Sequence, residues 1–294
     1  MSLIPDFDEG HYTPFCRTDD IHFKQVFGGI PKSIMKFDKD KFLMDLIDDD
    51  NSDLGKIEGE AKARGGGYAK NLRYSIYNPK QAKFIIEYFT EPGYTILDPF
   101  SGRGTRMMTS LYLSRNYRGY DTSSETIKLN QNLLEKKKSL LNSDFKCDLI
   151  HGDGTKLLLE KPNSVDAVFS CPPYYEIEQY SGEEGDISTV KPDVFDRQIE
   201  NMFLNLYQII KTSNYTEKKY HPVIFTVGTI RRGKEGVVDM DFKFQQAAYK
   251  AGFVLYDKMF TENNTPGAGF TFRRNYQCGF LTKSHETTLV FMKF

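Results

Sequence analysis

The sequence predicts an α/β fold with a mostly parallel sheet and helices on both of its faces. Three observations carry this. From about residue 95 onward, short apolar runs alternate with stretches of helical periodicity. The stretches between them are long enough for crossover helices, and strands joined that way run parallel and need cover on both sides. The last two apolar runs have no helix between them, so they pair antiparallel.

The elements follow in order. TILD (95–98) is the first strand of this series, and FSGRGT leads from it into a helix through Met107, Met108 and Leu111. YRGYD (117–121) is the second, followed by a helix from Ser124 with Leu129, Leu133, Leu134, Leu140 and Leu141 on one face. CDLIHGD (147–153) and DAVFS (166–170) are the third and fourth. A helix from about Asp196 turns Ile199, Phe203, Leu206, Ile209 and Ile210 inward. HPVIFTVG (221–228) is the fifth strand, before a helix around Phe244, Ala247, Ala248 and Tyr249. FVLYDKMF (253–260) and TTLVFMKF (287–294) complete a set of seven.

Residues 1–70 follow another rule. They hold DIHFKQVFGGIPKSIMKF, a helix-like KDKFLMDLI, an acidic stretch from Asp45 to Glu60 and the glycine run RGGG at 64–67. The reading is an N-terminal extension with a Gly-rich joint, in front of one α/β domain over 71–294. The composition is that of an ordinary globular protein, 39% apolar and 27% charged, with a net charge of −1. That balance argues against coating nucleic acid by bulk charge and leaves room for a local basic cleft. No run approaches a membrane span, and MSLIPDFDEGHY lacks the basic-then-apolar order of a secretory signal. Cysteines at 16, 147, 171 and 278 show no metal-binding spacing, so no metal is expected. Free thiols in a cytoplasmic protein are the reading that follows.

DPFSGRGT (98–105) combines a strand end, a tight loop and a helix start. Gly102 and Gly104 let the backbone turn sharply beside a ligand, and a helix N-terminus lies next to it. A dinucleotide fingerprint is disfavoured because Met107 stands where its third glycine belongs. A phosphate-binding loop is disfavoured because no Gly-Lys-Ser/Thr is present. Asp121 closes the second strand, where a carboxylate accepts from ribose hydroxyls. Asp153 ends the third, placed to accept from an adenine amino group. The candidate cofactor is therefore a nucleoside without a required phosphate grip, held by Asp98, Pro99, Phe100, Ser101, Gly102, Gly104, Thr105, Asp121 and Asp153.

DAVFSCPPYY (166–175) raises a second question. Two prolines end a strand, because neither has an N–H for the ladder. The chain leaves the sheet stiff and extended, presenting Tyr174 and Tyr175 just beyond. Taken alone, this is a proline turn with tyrosines filling a core edge. Joined to the glycine loop in this order, it is a site.

DPFSGRGT, then YD at 120–121, GD at 152–153 and CPPY at 171–174, resembles the amino-directed DNA methyltransferases over roughly residues 70 to 294. GTIRRGK (228–234) and KSHETTLVFMKF (283–294) resemble the family's closing strands. The resemblance implies a class I, Rossmann-like methyltransferase fold, seven strands with the last antiparallel. It also implies methyl transfer from S-adenosylmethionine to adenine N6 or cytosine N4 of double-stranded DNA, in an enzyme of phage or restriction-modification type. By the same resemblance the carbonyl of Pro172 and the residue at 171 accept from the target amino group, Pro173 stiffens the turn, and Tyr174 stacks on a base flipped out of the duplex. The family has Asp, Asn or Ser where Cys171 stands, and a thiol is a weak acceptor. A covalent role for Cys171, as in cytosine-C5 methylation, is disfavoured because there the cysteine follows the proline.

Target class stays open at this stage. RNA bases and protein glutamine are modified by related folds, and a silent DNA-binding relative is a further alternative. The residues expected against nucleic acid are Tyr175, Arg231, Arg232, Lys234, Arg273 and Arg274. The loops 176–192 and 261–276 flank the expected cleft, the second interleaving aromatics with arginines. His285 reads as a structural histidine.

Overall fold

A computed structural model describes residues 33–37, 41–47, 77–141, 144–173, 184–231, 236–262, 279, 281 and 284–294, and the backbone of 59–62 and 68–72. In chain order the elements are β1 (Ile34–Lys36), α1 (Lys41–Ile47), β2 (Gly59–Lys62), β3 (Tyr68–Leu72), α2 (Pro79–Phe89) and β4 (Thr95–Asp98). There follow α3 (Thr105–Tyr112), β5 (Asn116–Asp121), α4 (Ser124–Lys137), β6 (Cys147–His151), β7 (Ala167–Ser170) and α5 (Pro192–Ile209). The rest are β8 (Val223–Val227), β9 (Ile230–Arg231), β10 (Val237–Val238), α6 (Met240–Ala251), β11 (Val254–Glu262) and β12 (His285–Met292).

The main sheet runs β1-β11-β12-β8-β7-β4-β5-β6. β4 is parallel to both β5 and β7, and β7 is parallel to β8. β12 is antiparallel to β8 on one side and to β11 on the other. The seven expected strands are all present in the order of a Rossmann-like class I fold, the last one antiparallel as predicted. The eighth is the difference: β1 adds to the outer edge, parallel to β11 with Ile34 opposite Phe260. A three-residue strand carries no readable alternation, and pairing alone places it.

Neighbouring residues on the central strands point into different cores, as a two-sided sheet requires. Val168, Phe225, Leu289 and Phe291 pack under α5 and α6 with Ile199, Phe203, Leu206 and Phe244. Phe169, Ile224, Val290 and Met292 pack under α2 with Ala82, Ile85, Ile86 and Phe89. The spacing of those last four is one helical stripe. α2 itself starts on Asn78, whose side chain accepts from the Lys80 and Gln81 N–H groups, and on Pro79 in the first turn.

Two segments of the N-terminal extension belong to this body. β1 is in the sheet, and α1 buries Leu43, Leu46 and Ile47 against Met107, Met108 and Leu111. The glycine run at 64–67 lies outside the described residues. One helix needs correction: α4 stops at Lys137, a 3₁₀ turn takes Lys138–Leu140, and the buried face is Ile127, Asn130 and Leu133. Leu140 is exposed and Leu129, Leu134 and Leu141 only flank the core. The basic run Lys136–Lys138 ends the helix there, where cations meet the negative end of its dipole. Tyr249 of α6 is likewise exposed. No helix of the described residues is long and apolar enough to cross a membrane.

Candidate active site

Strand order reverses between β4 and β7. From β4 the chain proceeds to β5 and β6 on one side, then returns to build β7 and β8 on the other. A crevice opens at the carboxyl ends of the strands at such a switch point, and ligands bind there. DPFSGRGT leaves β4 at that point, and CPP leaves β7 beside it.

Asp98, at the end of β4, has no exposed surface and organises the junction. Its Oδ2 accepts from Arg106 Nε at 2.7 Å and from the Tyr117 hydroxyl at 2.8 Å. Its Oδ1 accepts from the Ser170 hydroxyl at 2.6 Å and from the Phe100 N–H at 3.1 Å. Arg106 also donates to the carbonyls of Phe100 and Ser101, and its guanidinium lies over the rings of Tyr77 and Phe169. Burial opposes the charge on Arg106, but Asp98 and neighbouring groups outweigh it and hold its pKa above the ordinary value. The Asp98 carboxylate is thus committed to the protein, shaping the loop from beneath.

The loop above is tightly specified. Pro99 and Ser101 are buried, and the Ser101 N–H donates to the Tyr120 carbonyl at 2.8 Å. Gly104 caps α3 with φ +74°, in the left-handed region, and a Cβ there would lie 2.8 Å from Asn130 Oδ1. Asn130 in turn donates to the Gly102 carbonyl at 2.8 Å. At Gly154 a Cβ would stand 1.9 Å from the carbonyl oxygen of Pro99, so the segment after β6 packs directly on the loop's backbone.

Asp121 faces the loop from the end of β5. Oδ2 accepts from the Gly102 N–H and Oδ1 from the Ser123 N–H, both at 2.9 Å. Burial pushes its pKa up to about 6, against the two backbone hydrogen bonds, with the charges of Asp98 and Asp186 adding to the rise. Asp153 accepts from the Thr155 N–H and hydroxyl through Oδ1 (2.9 and 2.6 Å). Its Oδ2 is buried without a hydrogen bond among the described residues, with Lys156 Nζ at 3.5 Å. Ser101 Oγ, Thr105 Oγ1 and Asn130 Oδ1 are buried without a hydrogen bond as well.

Across the crevice, Ser170 ends β7 and is buried, Cys171 is half-buried, Pro172 buried and Pro173 half-buried. Cys147 is the other described thiol, and burial raises its pKa to about 12.

Of the residues expected against nucleic acid, Arg231 is described only as backbone of β9, paired with Val237. Tyr175, Arg232, Lys234, Arg273 and Arg274 lie outside the described residues, as do Tyr174 and the loop positions 176–183 and 263–278. His285 is an exposed residue at the start of β12, its ring edge-on to Phe260.

Four residues of the junction were not anticipated from sequence: Tyr77, Arg106, Tyr117 and Ser170. Asp186 is a fifth. It is buried in the segment before α5 and accepts from the Ser188 N–H and hydroxyl. The preceding Gly185 packs against Asp153 and Thr122. The available signal was the charge of Arg106 inside a helix whose neighbours Met107, Met108 and Leu111 are apolar.

No curated protein is similar in sequence. Among solved structures, TrmN from Thermus thermophilus is similar at 12% identity and a TM-score of 0.48, covering 78% of this chain and 57% of its own. The cyclopropane synthase MmaA2 from Mycobacterium tuberculosis is similar at 11% identity and a TM-score of 0.49, over 86% of this chain and 94% of its own. Geranyl diphosphate C-methyltransferase from Streptomyces coelicolor A3(2) is similar at 11% and 0.48, over 73% and 78%. Residues 18–132 match the family model of the DNA methylases, N6_N4_Mtase. With the strand order above, the chain is a methyltransferase whose residues 18–132 are similar to the DNA methylases of that family model.

Proposed function

We propose that this methyltransferase modifies DNA, at the exocyclic amino group of adenine N6 or cytosine N4. The observation that carries this reading is the meeting of the glycine loop and the CPP turn on either side of one switch point, joined by the Ser170–Asp98 hydrogen bond.

The cofactor fits the residues present. Buried oxygens without hydrogen bonds are uncommon, and four of them, on Ser101, Thr105, Asn130 and Asp153, belong to the loop and its immediate supports. Carboxylates at Asp121, Asp153 and Asp186 favour a ligand with hydroxyls, an amine and net positive charge. In this reading Asp121 accepts from the ribose, Asp153 from the adenine amino group, and 98–105 form the floor. S-adenosylmethionine, when bound, supplies an electrophilic methyl group on a sulfonium. Pro99, Phe100, Ser101, Gly102, Gly104 and Thr105 set its position, with Asp98 holding them from below.

An exocyclic amino group is a poor nucleophile because its lone pair is delocalised into the ring. The carbonyls of Cys171 and Pro172 accept from its N–H groups and favour a pyramidal nitrogen. Two prolines hold these carbonyls in place without reorganisation during the reaction. Tyr174 supplies the stacking face for a flipped base, and Tyr175 with Arg231, Arg232, Lys234, Arg273 and Arg274 supplies the duplex contacts.

The test is mass spectrometry of nucleosides from a methylation-free host expressing the chain, beside a Tyr174→Ala control. N6-methyladenine or N4-methylcytosine in DNA, absent from the control, is the expected result. Unmodified DNA overturns the DNA reading. A methylated nucleoside in RNA, or methylglutamine in protein, would assign the other substrate.

A further inference from the structure

Ser170 is the last residue of β7 and has no exposed surface. Its hydroxyl donates to Asp98 Oδ1 at 2.6 Å and accepts from the Phe100 N–H at 3.3 Å. Both partners belong to the glycine-loop side of the crevice, whereas Ser170 runs directly into Cys171-Pro172-Pro173. One hydroxyl therefore bridges the two halves of the site.

The ladder between β4 and β7 makes this bridge consequential. It pairs Ile96 with Ala167 and Leu97 with Val168, and goes no further. Beyond Ser170 the prolines have no N–H with which to extend it. β8 supports the other side of β7 up to Ser170 opposite Phe225, but β8 does not touch the glycine loop's strand. The anchor is firm, because the same Asp98 carboxylate is fixed by Arg106 and by the Tyr117 hydroxyl, with all three side chains buried.

We propose that Ser170 is a positioning residue, setting the distance between the CPP turn and the cofactor loop through Asp98 and Phe100 without touching either reactant. This rests on the methyl-transfer reading above. In-line transfer is sensitive to that distance, since a misplacement of about 1 Å costs on the order of 10²-fold in rate.

Ser170→Ala should lower kcat by about 10- to 100-fold and leave the Kd for S-adenosylmethionine and the KM for DNA within about threefold. Ser170→Thr, which keeps the hydroxyl, should recover most of the loss. Ser170→Cys, close in shape but a weak donor, should fall between, and stands in if the alanine variant folds poorly. A second readout needs no turnover: hydrogen exchange of peptides spanning 166–175, with and without S-adenosylhomocysteine. In the parent the ligand should slow exchange of this segment as well as of the loop at 98–105. In Ser170→Ala it should slow only the loop.

An unchanged kcat overturns the proposal. So does a matching loss of kcat and cofactor affinity, which makes Ser170 a support of the cofactor loop alone. Retained protection of 166–175 in Ser170→Ala overturns it whatever the kinetics. A parent that binds S-adenosylhomocysteine yet methylates no nucleic acid overturns the substrate reading only, and the exchange comparison still decides. A parent that binds neither cofactor form overturns both.

Discussion

Arg106 and Asp98 form an ion pair, Nε to Oδ2 at 2.7 Å, with both side chains almost wholly withdrawn from water. They stand eight residues apart, one ending β4 and the other in the first turn of α3, the helix that follows it. The pair closes the turn between them from inside. Removing one member leaves a buried charge with nothing opposite, which costs about 3–5 kcal/mol. Arg106→Met should therefore lose about that much in urea unfolding at pH 7. A loss below about 1 kcal/mol would show the pair to be incidental to folding.

Asp121 gives the site a pH dependence. Its pKa of about 6 in the folded chain exceeds its ordinary 3.8. Between those values the folded chain holds a proton that the unfolded chain has released. The group's contribution to stability is therefore greatest below about pH 4 and declines as pH rises to about 6. A ligand that hydrogen-bonds to the carboxylate needs the ionised form. Cofactor affinity should thus fall below pH 6, approaching tenfold per pH unit. Calorimetric titration with S-adenosylmethionine from pH 5 to 8 checks this. Asp121→Asn should bind more weakly at pH 8 and show a flat profile. An equally steep profile in the variant assigns the titration to another group.

Gly154→Ala places a methyl group against Pro99 backbone, where no side chain can give way. The cost of such overpacking is about 1–3 kcal/mol. Thermal melting should register it, together with weaker cofactor binding, because Pro99 belongs to the loop. A variant with unchanged melting temperature would mean that the segment after β6 shifts freely.

Asn78→Ala removes the side chain that accepts from two N–H groups at the start of α2. The expected loss is about 1 kcal/mol, visible as a lower denaturant midpoint. Cofactor affinity should stay constant, since α2 supports the sheet from behind the site. A change in affinity without a change in midpoint would contradict that division.

Legibility in the sequence followed contact range. The central strands were plain because VIFTV and AVFS are buried on both faces and bounded by breakers. The antiparallel end followed from the missing crossover. α2 lies outside the alternating series that begins at residue 95, although its cap and its stripe at 82, 85, 86 and 89 are both written in the sequence. The end of α4 was placed too late because the leucines at 140 and 141 continue an apolar rhythm that the backbone abandons at Lys137. The glycine loop, Asp121 and the CPP turn could be read as local patterns. Arg106, Tyr117 and Ser170 could not, since their meaning lies in one carboxylate that each reaches from a different element.

The short first strand has a consequence of its own. The outer edge of β11 is nine residues long, and among the described residues β1 pairs with it at Phe260, Thr261 and Glu262. Bare strand edges invite edge-to-edge association with other chains. Toward the beginning of β11 the register shifts between Leu255 and Asp257, and Asp257 and Lys258 place charge there. A bulge and charges are devices that discourage such pairing. At the far end of the strand, Ile34–Lys36 does the same work by occupying the edge. Occupying that edge leaves fewer unpaired backbone groups for another chain to meet, and a chain cut after Lys36 should show more self-association in light scattering than the parent.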